Sequence, residues 1–273
     1  MKISIVKGAW YIMFILFGLI MMYPMVFAIS NSFMSFADAI ENITSLIPLN
    51  PTLENYLFLF ERIDMLGITN NTFFVASNVT VFKLLTSFFA AYALVFFEFK
   101  YKNVVYFFII ATIFIPFTIT MIPNFLTISR LDLIDNPVGV ILPQLADALG
   151  IFLMRQAMRM VPSSLIEYAH IENLSHFRIM RDIVLPLTKP AVISTSIIFF
   201  INSWNEFVWP MLILRSTSRF TLPLALQMFI GAEGGSDFTT AMAISVLSMV
   251  VPLILFLIFQ KHIIGTFVNS GIK

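Results

Sequence analysis

Three ionisable residues lie in stretches of this chain that are otherwise apolar: Lys83, Asp147 and Glu206. A charge held in the middle of a bilayer costs about 2.5–3.5 kcal/mol or more, so such residues either neutralise one another or meet something polar. Two uses are open for Lys83. It can pair with Glu206 or Asp147 inside a helix bundle, because an unpaired buried ion stays expensive. Alternatively it faces an aqueous path and attracts an anion, a phosphate for instance. Around Glu206 sit Asn202, Trp204, Asn205 and Trp209. Asparagine amides hydrogen-bond to hydroxyls in pairs and indole rings stack on the apolar faces of sugars. The same residue types also serve as interfacial belts and as helix-to-helix glue. His170, His176 and His262 have no metal-ligand spacing, and the chain has no cysteine. Disulfides, thiolate nucleophiles and cysteine-held metals are therefore excluded. No nucleophile–base pair and no G-x-x-x-x-G-K-[ST] loop is present, so no catalytic residue, metal or cofactor bound by this chain is expected.

The elements that must position these residues are membrane helices. The 273 residues are 59% hydrophobic and only 11% charged, with 31 Phe and a mean hydropathy of +0.93. So few charges cannot cover a soluble surface. The net charge of +1 gives no reason to expect a nucleic-acid partner. At about 20 apolar residues per crossing, six spans are expected: Ala9–Ser30, Phe73–Phe97, Val104–Leu126, Pro137–Met154, Ala191–Leu214 and Thr240–Gln260. The first follows Lys2 and Lys7, as a signal peptide would. It is too long for a signal core and lacks a small-x-small site, which predicts a retained helix. Pro24, Pro116, Pro123, Pro143 and Pro210 should kink or break their helices, which then need neighbours or water to satisfy freed backbone groups.

Placing both termini in the cytoplasm puts eleven of the sixteen Lys and Arg inside, with Arg62, Arg130, Arg215 and Arg219 outside and Lys83 within a span. That asymmetry sets the orientation.

One polar island stands between spans four and five, Arg155 to Pro190, and it reads as too polar to insert. Within it, Pro162-Ser-Ser164 reads as a helix start, with Ser163 or Ser164 as cap and Ser164-Leu-Ile-Glu167 in the spacing of a capping box. Asn173 tolerates the left-handed conformation that ends a short helix. Leu185-Pro186 and Lys189-Pro190 should punctuate the start of span five. A short exposed helix with small and acidic residues suits another protein's groove; a solvated interfacial helix is the plainer alternative.

In Glu167-Tyr168-Ala169, with Asn173 and then Ile183, Leu185 and Pro186, the stretch resembles the EAA signature of binding-protein-dependent ABC importer permeases. Tyr168 stands where the signature has its first alanine and Asn173 where it has glycine. Ala90-Ala-Tyr-Ala93, Phe152-Leu-Met-Arg-Gln156, Ser203-Trp-Asn-Glu-Phe-Val-Trp-Pro210 and Asn269-Ser-Gly-Ile-Lys273 resemble the carbohydrate-uptake branch, in its smaller six-span permease. The resemblance implies an all-α integral membrane fold with a first helix and external loop (1–68). A five-helix core (69–260) and a cytoplasmic tail (261–273) would follow. Residues 164–174 would be a coupling helix, with Glu167, Tyr168, Ala169, Glu172 and Asn173 contacting a cytoplasmic ATPase dimer that binds ATP and Mg. The partners implied are a second homologous permease, an external solute-binding protein and the lipid of a prokaryotic cytoplasmic membrane. Lys83, Asn202, Trp204, Asn205, Glu206 and Trp209 are the candidates for the solute path. A sugar or sugar-like solute is expected, with glycerol-3-phosphate or a glycerophosphodiester as the rival. Outside the class, an ion-coupled carrier usually shows carboxylates along several spans, and here only Asp147 and Glu206 qualify.

Overall fold

The computed structural model of the chain describes residues 5–41, 45–230 and 238–271, the side chains of 5, 6 and 261–271 excepted. Every regular element among them is helical. In chain order these are α1 (Ile5–Ser32), α2 (Phe36–Glu41), α3 (Glu54–Arg62), α4 (Met65–Phe96), α5 (Lys102–Ala111) and α6 (Phe117–Arg130). There follow α7 (Pro137–Ile141), α8 (Ala148–Met158), α9 (Ser163–Ile171) and α10 (His176–Ile179). The last are α11 (Leu185–Trp204), α12 (Val208–Ile213), α13 (Leu222–Ile230) and α14 (Phe238–Gly271). Four helices among the described residues are long and apolar enough to cross a membrane: Lys7–Ser32, Met65–Phe96, His176–Trp204 and Phe238–Gln260. Two bent pairs complete six.

The expected spans meet the observed helices with four differences. The third, expected over Val104–Leu126 with Pro116 kinking or breaking it, is two helices bent by 98° between Phe114 and Phe117. Ile115, just before Pro116, is extended at φ −88° and ψ 109°. The proline ring excludes the helical conformation from the residue preceding it, which explains the break. The fourth span is α7 and α8, bent by 49° around a 3-10 turn at Leu142–Gln144 that contains Pro143. The second begins at Met65, not Phe73, because the Asp64 carboxylate accepts the Gly67 N–H at 2.9 Å and so starts the helix.

The fifth span differs most. Residues 176–190, read as too polar to insert, are already helical, joined to α11 through a π-helical turn at Met180–Val184. Pro186 follows the π-helical turn directly and Pro190 lies a turn further on inside α11, so both prolines are carried within the continuous helix. That span ends at Trp204, and α12 is a separate short helix whose first turn holds Pro210. Pro24 and Pro123, expected to kink or break their helices, lie inside α1 and α6.

The described residues divide into two compact units, one within Met1–Ile68 and Leu222–Val251, the other within Thr69–Thr221 and Pro252–Lys273. In the first, buried Asn55 fastens α3 to the chain leaving α1. Its amide donates to the Ser32 and Met34 carbonyls at 2.9 and 2.8 Å, and its oxygen accepts from Thr239 at 3.0 Å. Both donors and the oxygen of one buried amide are thereby engaged at a helix end.

In the second unit, a core of Phe88, Ala91, Tyr92, Met154, Met158, Ile166, Ala169, Ile179 and Val184 ties α4, α8, α9, α10 and the π turn together. Away from that core, the loop after α6 is fastened to the loop after α12. Asp135, in the left-handed conformation at φ 55°, accepts from the backbone N–H of Arg215 and Ser216 at 2.9 and 3.0 Å and from the Ser216 hydroxyl at 2.5 Å. The Arg219 guanidinium donates to the Asp135 backbone carbonyl as well. Asn71 of α4 donates to the carbonyls of Ser218 and Phe220 on the same segment.

Candidate functional site

Helix α9 has two unlike faces. Ile166 and Ala169 point into the core, Ala169 being 1% exposed. On the opposite side Leu165, Tyr168 and Ile171, spaced by three residues, are exposed, with Ile171 at 75%. Met160 and Phe177, before and after the helix in sequence, are exposed too. Glu167 and Glu172 are exposed as well.

The helix ends as the sequence implies. Asn173 adopts φ 52°, its N–H donates to the His170 carbonyl at 3.0 Å, and the Leu174 N–H donates to the Ala169 carbonyl at 3.0 Å. This pair of bonds is the Schellman closure, with asparagine in the left-handed place. The start differs from expectation. Pro162 is the N-cap, α9 begins at Ser163, and no side chain caps it, so neither serine does so and the capping box does not form. The proline fixes the approach of the chain, which leaves Ser163 already inside the first turn.

Behind α9 lies a packing feature that spacing could not reveal. The His176 ring sits edge-on to Phe97 at 4.6 Å and to His170 at 5.5 Å, and its Nδ1 is 3.1 Å from the Tyr92 hydroxyl. A chain of rings thus links α4 to the end of α9. His176 is six residues from His170 and 84 from Tyr92, too far apart for any local pattern.

Of the intramembrane charges, Lys83 pairs with Asp147, Nζ to Oδ2 at 3.5 Å, and its ammonium also lies 5.5 Å from the centre of the Phe199 ring. The other oxygen of Asp147 accepts the Gly150 N–H at 2.9 Å, so one carboxylate caps α8 and neutralises Lys83. Thr86, one residue short of a full turn from Lys83, donates to the Leu145 carbonyl at 2.8 Å, which binds α4 to the break before α8. Glu206 is not the partner of Lys83; its carboxylate accepts the Trp209 N–H at 3.2 Å at the start of α12. Trp204 and Trp209 are fully buried. Trp204 stacks on Phe200, while Trp209 donates to the Val140 carbonyl at 3.2 Å and takes Phe117 on its edge. Their indoles are packing residues in this conformation, and of the aromatic and amide cluster only Asn202 and Asn205 are exposed.

Residues 83–266 match the family described as binding-protein-dependent transport system inner membrane component. The chain belongs to this family of permeases.

Relatives agree along nearly the whole length. The permease is 31% identical over 263 residues to the arabinooligosaccharides transport system permease protein AraQ of Halalkalibacterium halodurans, covering 95% of this chain and 94% of that one. It is 29% identical to the sn-glycerol-3-phosphate transport system permease protein UgpE of Brucella melitensis, covering 92% of each. A crystal structure of a bacterial ABC transporter involved in importing the acidic polysaccharide alginate superposes with a TM-score of 0.85 at 25% identity, over 96% of this permease and 99% of that chain. The permease is thus an all-α membrane protein of the ABC importer class, a transport component and not an enzyme.

Proposed function

We propose that this permease is the membrane subunit of an ATP-driven importer for a sugar or sugar-like solute, and that α9 is where ATPase movement enters it. The observation that carries this is the two-faced α9: Ile166 and Ala169 lock it to the core, while Leu165, Tyr168 and Ile171 lie bare. A force applied to the bare face is transmitted to α4, α8 and α10, which meet α9 in one packed cluster. ATP and Mg belong to the ATPase pair. A second, homologous permease, an external solute-binding protein and a prokaryotic cytoplasmic membrane with both termini inside complete the reading. Residues 69–260 form the working core and 261–273 the cytoplasmic tail. Alternating access is a rocking of the spans between outward- and inward-open states.

For the solute, Asn202 and Asn205 are the residues best placed for hydroxyl contact, with Glu206 beside them. Lys83 is neutralised by Asp147, which removes this chain's own reason to favour an anion such as glycerol-3-phosphate. Membership of the family sets aside an ion-coupled carrier.

The test is Glu167→Lys in the assembled transporter. Abolished ATP-dependent uptake with normal membrane insertion is expected; undiminished uptake would refute the coupling role of α9.

A further inference from the structure

Beside α9 a cleft of about 1170 Å³ opens between the α4–α5 connection and the ends of α8 and α9. Its wall carries four cations, Lys100, Lys102, Arg155 and Arg159, against two carboxylates, Glu98 and Glu167. Lys102 is committed: its ammonium donates to the Val95 and Phe97 carbonyls at 3.1 and 2.8 Å and to Glu98 at 3.1 Å, so it closes the end of α4. The other three have no ion pair among the described residues. Lys100 rests over the Tyr101 ring at 5.3 Å. Arg155 lies with its guanidinium 3.9 Å from the centre of the Tyr106 ring, and its Nε is buried with no hydrogen-bond partner. A guanidinium flattened on an aromatic ring is already oriented, and its planar fork matches the geometry of phosphate oxygens.

We infer that this cleft binds a phosphate-bearing anionic group, through Arg155, Arg159 and Lys100, and that the bound group braces α9. The charge balance favours an anion over a cation: Glu98 is already paired with Lys102, and Glu167 alone opposes three free cations. The cleft also reaches α9 itself, since Ser163, Ile166 and Glu167 line it. The group has two chemical sources, an anionic lipid headgroup or free phosphate. Exposed Phe99 and Tyr101 border the cleft, as aromatic residues do at headgroup level. A basic pocket between helix ends on the cytoplasmic side is the usual setting for such a headgroup. Binding itself does not rest on the transport reading; only its consequence for coupling does.

The experiment uses the complete transporter assembly, delipidated in a neutral maltoside detergent. Radiolabelled phosphatidylglycerol, phosphatidylcholine and inorganic phosphate are titrated separately, and hydrogen exchange is followed over residues 163–171. Saturable binding of phosphatidylglycerol without saturable binding of phosphatidylcholine is expected, weakened at least tenfold in Lys100→Gln/Arg159→Gln, whose two side chains lie at the surface. Arg155→Lys, which keeps the charge and loses the fork, should weaken it further, and exchange in α9 should slow several-fold on binding. Saturable binding of inorganic phosphate with the same dependence on the variants would identify a free anion as the source and support the site equally. The inference is overturned if neither phosphate probe saturates, if phosphatidylcholine binds as well as phosphatidylglycerol, or if the double variant binds like the original. Protection of the cleft by the ATPase subunit alone, with no saturable anion, would likewise overturn it and make the cleft a protein contact. Loss of uptake in Ile171→Asp, on the bare face of α9 and outside the cleft, with anion binding intact would separate the two readings.

Discussion

At the scale of residues, the Lys83–Asp147 pair sets a clear energetic expectation. Both side chains are partly shielded, at 16% and 27% exposure, so the pair lies between a surface pair and a fully buried one. Lys83→Met strands a carboxylate that α8 still needs as its cap. It should lower the stability of the purified permease by about 1–3 kcal/mol, read as a fall in the thermal unfolding midpoint. In Lys83→Met/Asp147→Asn no charge is stranded and an amide can still cap, so most of that loss should return. Additive losses would show that the two residues are not coupled, and lost solute uptake in the stable double variant would revive a solute role for Lys83. Asn173 gives a second expectation. Its φ of 52° is open to glycine without strain, so Asn173→Gly should be near neutral. Asn173→Val should cost about 1–2 kcal/mol and speed hydrogen exchange across α9. Equal exchange in the two variants would mean that the closure is not what holds the helix. The left-handed place of Asn173 was legible in the sequence because the requirement is local. The partner of Lys83 was not, since Asp147 and Glu206 both satisfied the pattern and only packing separates them.

The elements follow the same division between local and distant causes. The break at Ile115–Pro116 is dictated by a proline acting on its neighbour, and a break there was readable. The start of the fifth span was not. Arg178, Arg181 and Asp182 read as solvated loop, yet this turn carries them on a continuous helix. There Arg181 pairs with its neighbour Asp182 at 2.6 Å, while Ile179 and Val184 face the core. A helix that is charged outside and apolar inside over so few residues resembles a loop to any average of hydropathy. The fastening of the loop after α6 was also invisible, since Asp135 and Ser216 are 81 residues apart. It carries a pH signature. The Ser216 hydroxyl, then the Ser216 and Arg215 N–H groups and the charge of Arg219, hold the Asp135 carboxyl at about 2, below its ordinary 3.8. A carboxyl lowered on folding contributes stability that is complete above the ordinary value and is lost as pH falls from about 4 toward 2. Hydrogen exchange at residues 214–219 should therefore accelerate over that window. In Asp135→Asn it should be faster at neutral pH and lose the acid step. An acid step that persists in the variant would assign it to another group.

For the whole molecule, the two largest inferences rest on orientation: α9 must face the ATPase, and the cleft beside it must face the cytoplasmic leaflet. Both follow from the surplus of Lys and Arg on one side of the spans, a statistical consequence of insertion and not of any contact in the fold. No helix packing tests it, because a bundle inverted in the bilayer keeps every internal distance. The chain offers a direct route, since it has no cysteine of its own to mask. Thr217 and Glu98 are both exposed, and the orientation places them on opposite sides of the membrane. In intact spheroplasts, a membrane-impermeant maleimide should label Thr217→Cys fully and Glu98→Cys only after permeabilisation. Glu98 lines the cleft beside α9, so the labelling is done on the permease expressed without its ATPase, which leaves nothing to mask that position. The reverse pattern would turn α9 away from ATP and undo the coupling proposal, while leaving the fold and the Lys83–Asp147 pair as described. Labelling of both before permeabilisation would break the six-span count, and the first helix pair to suspect would be α5 and α6. Their 98° bend is the sharper of the two breaks among the described residues at which short apolar helices could re-enter from one side instead of crossing.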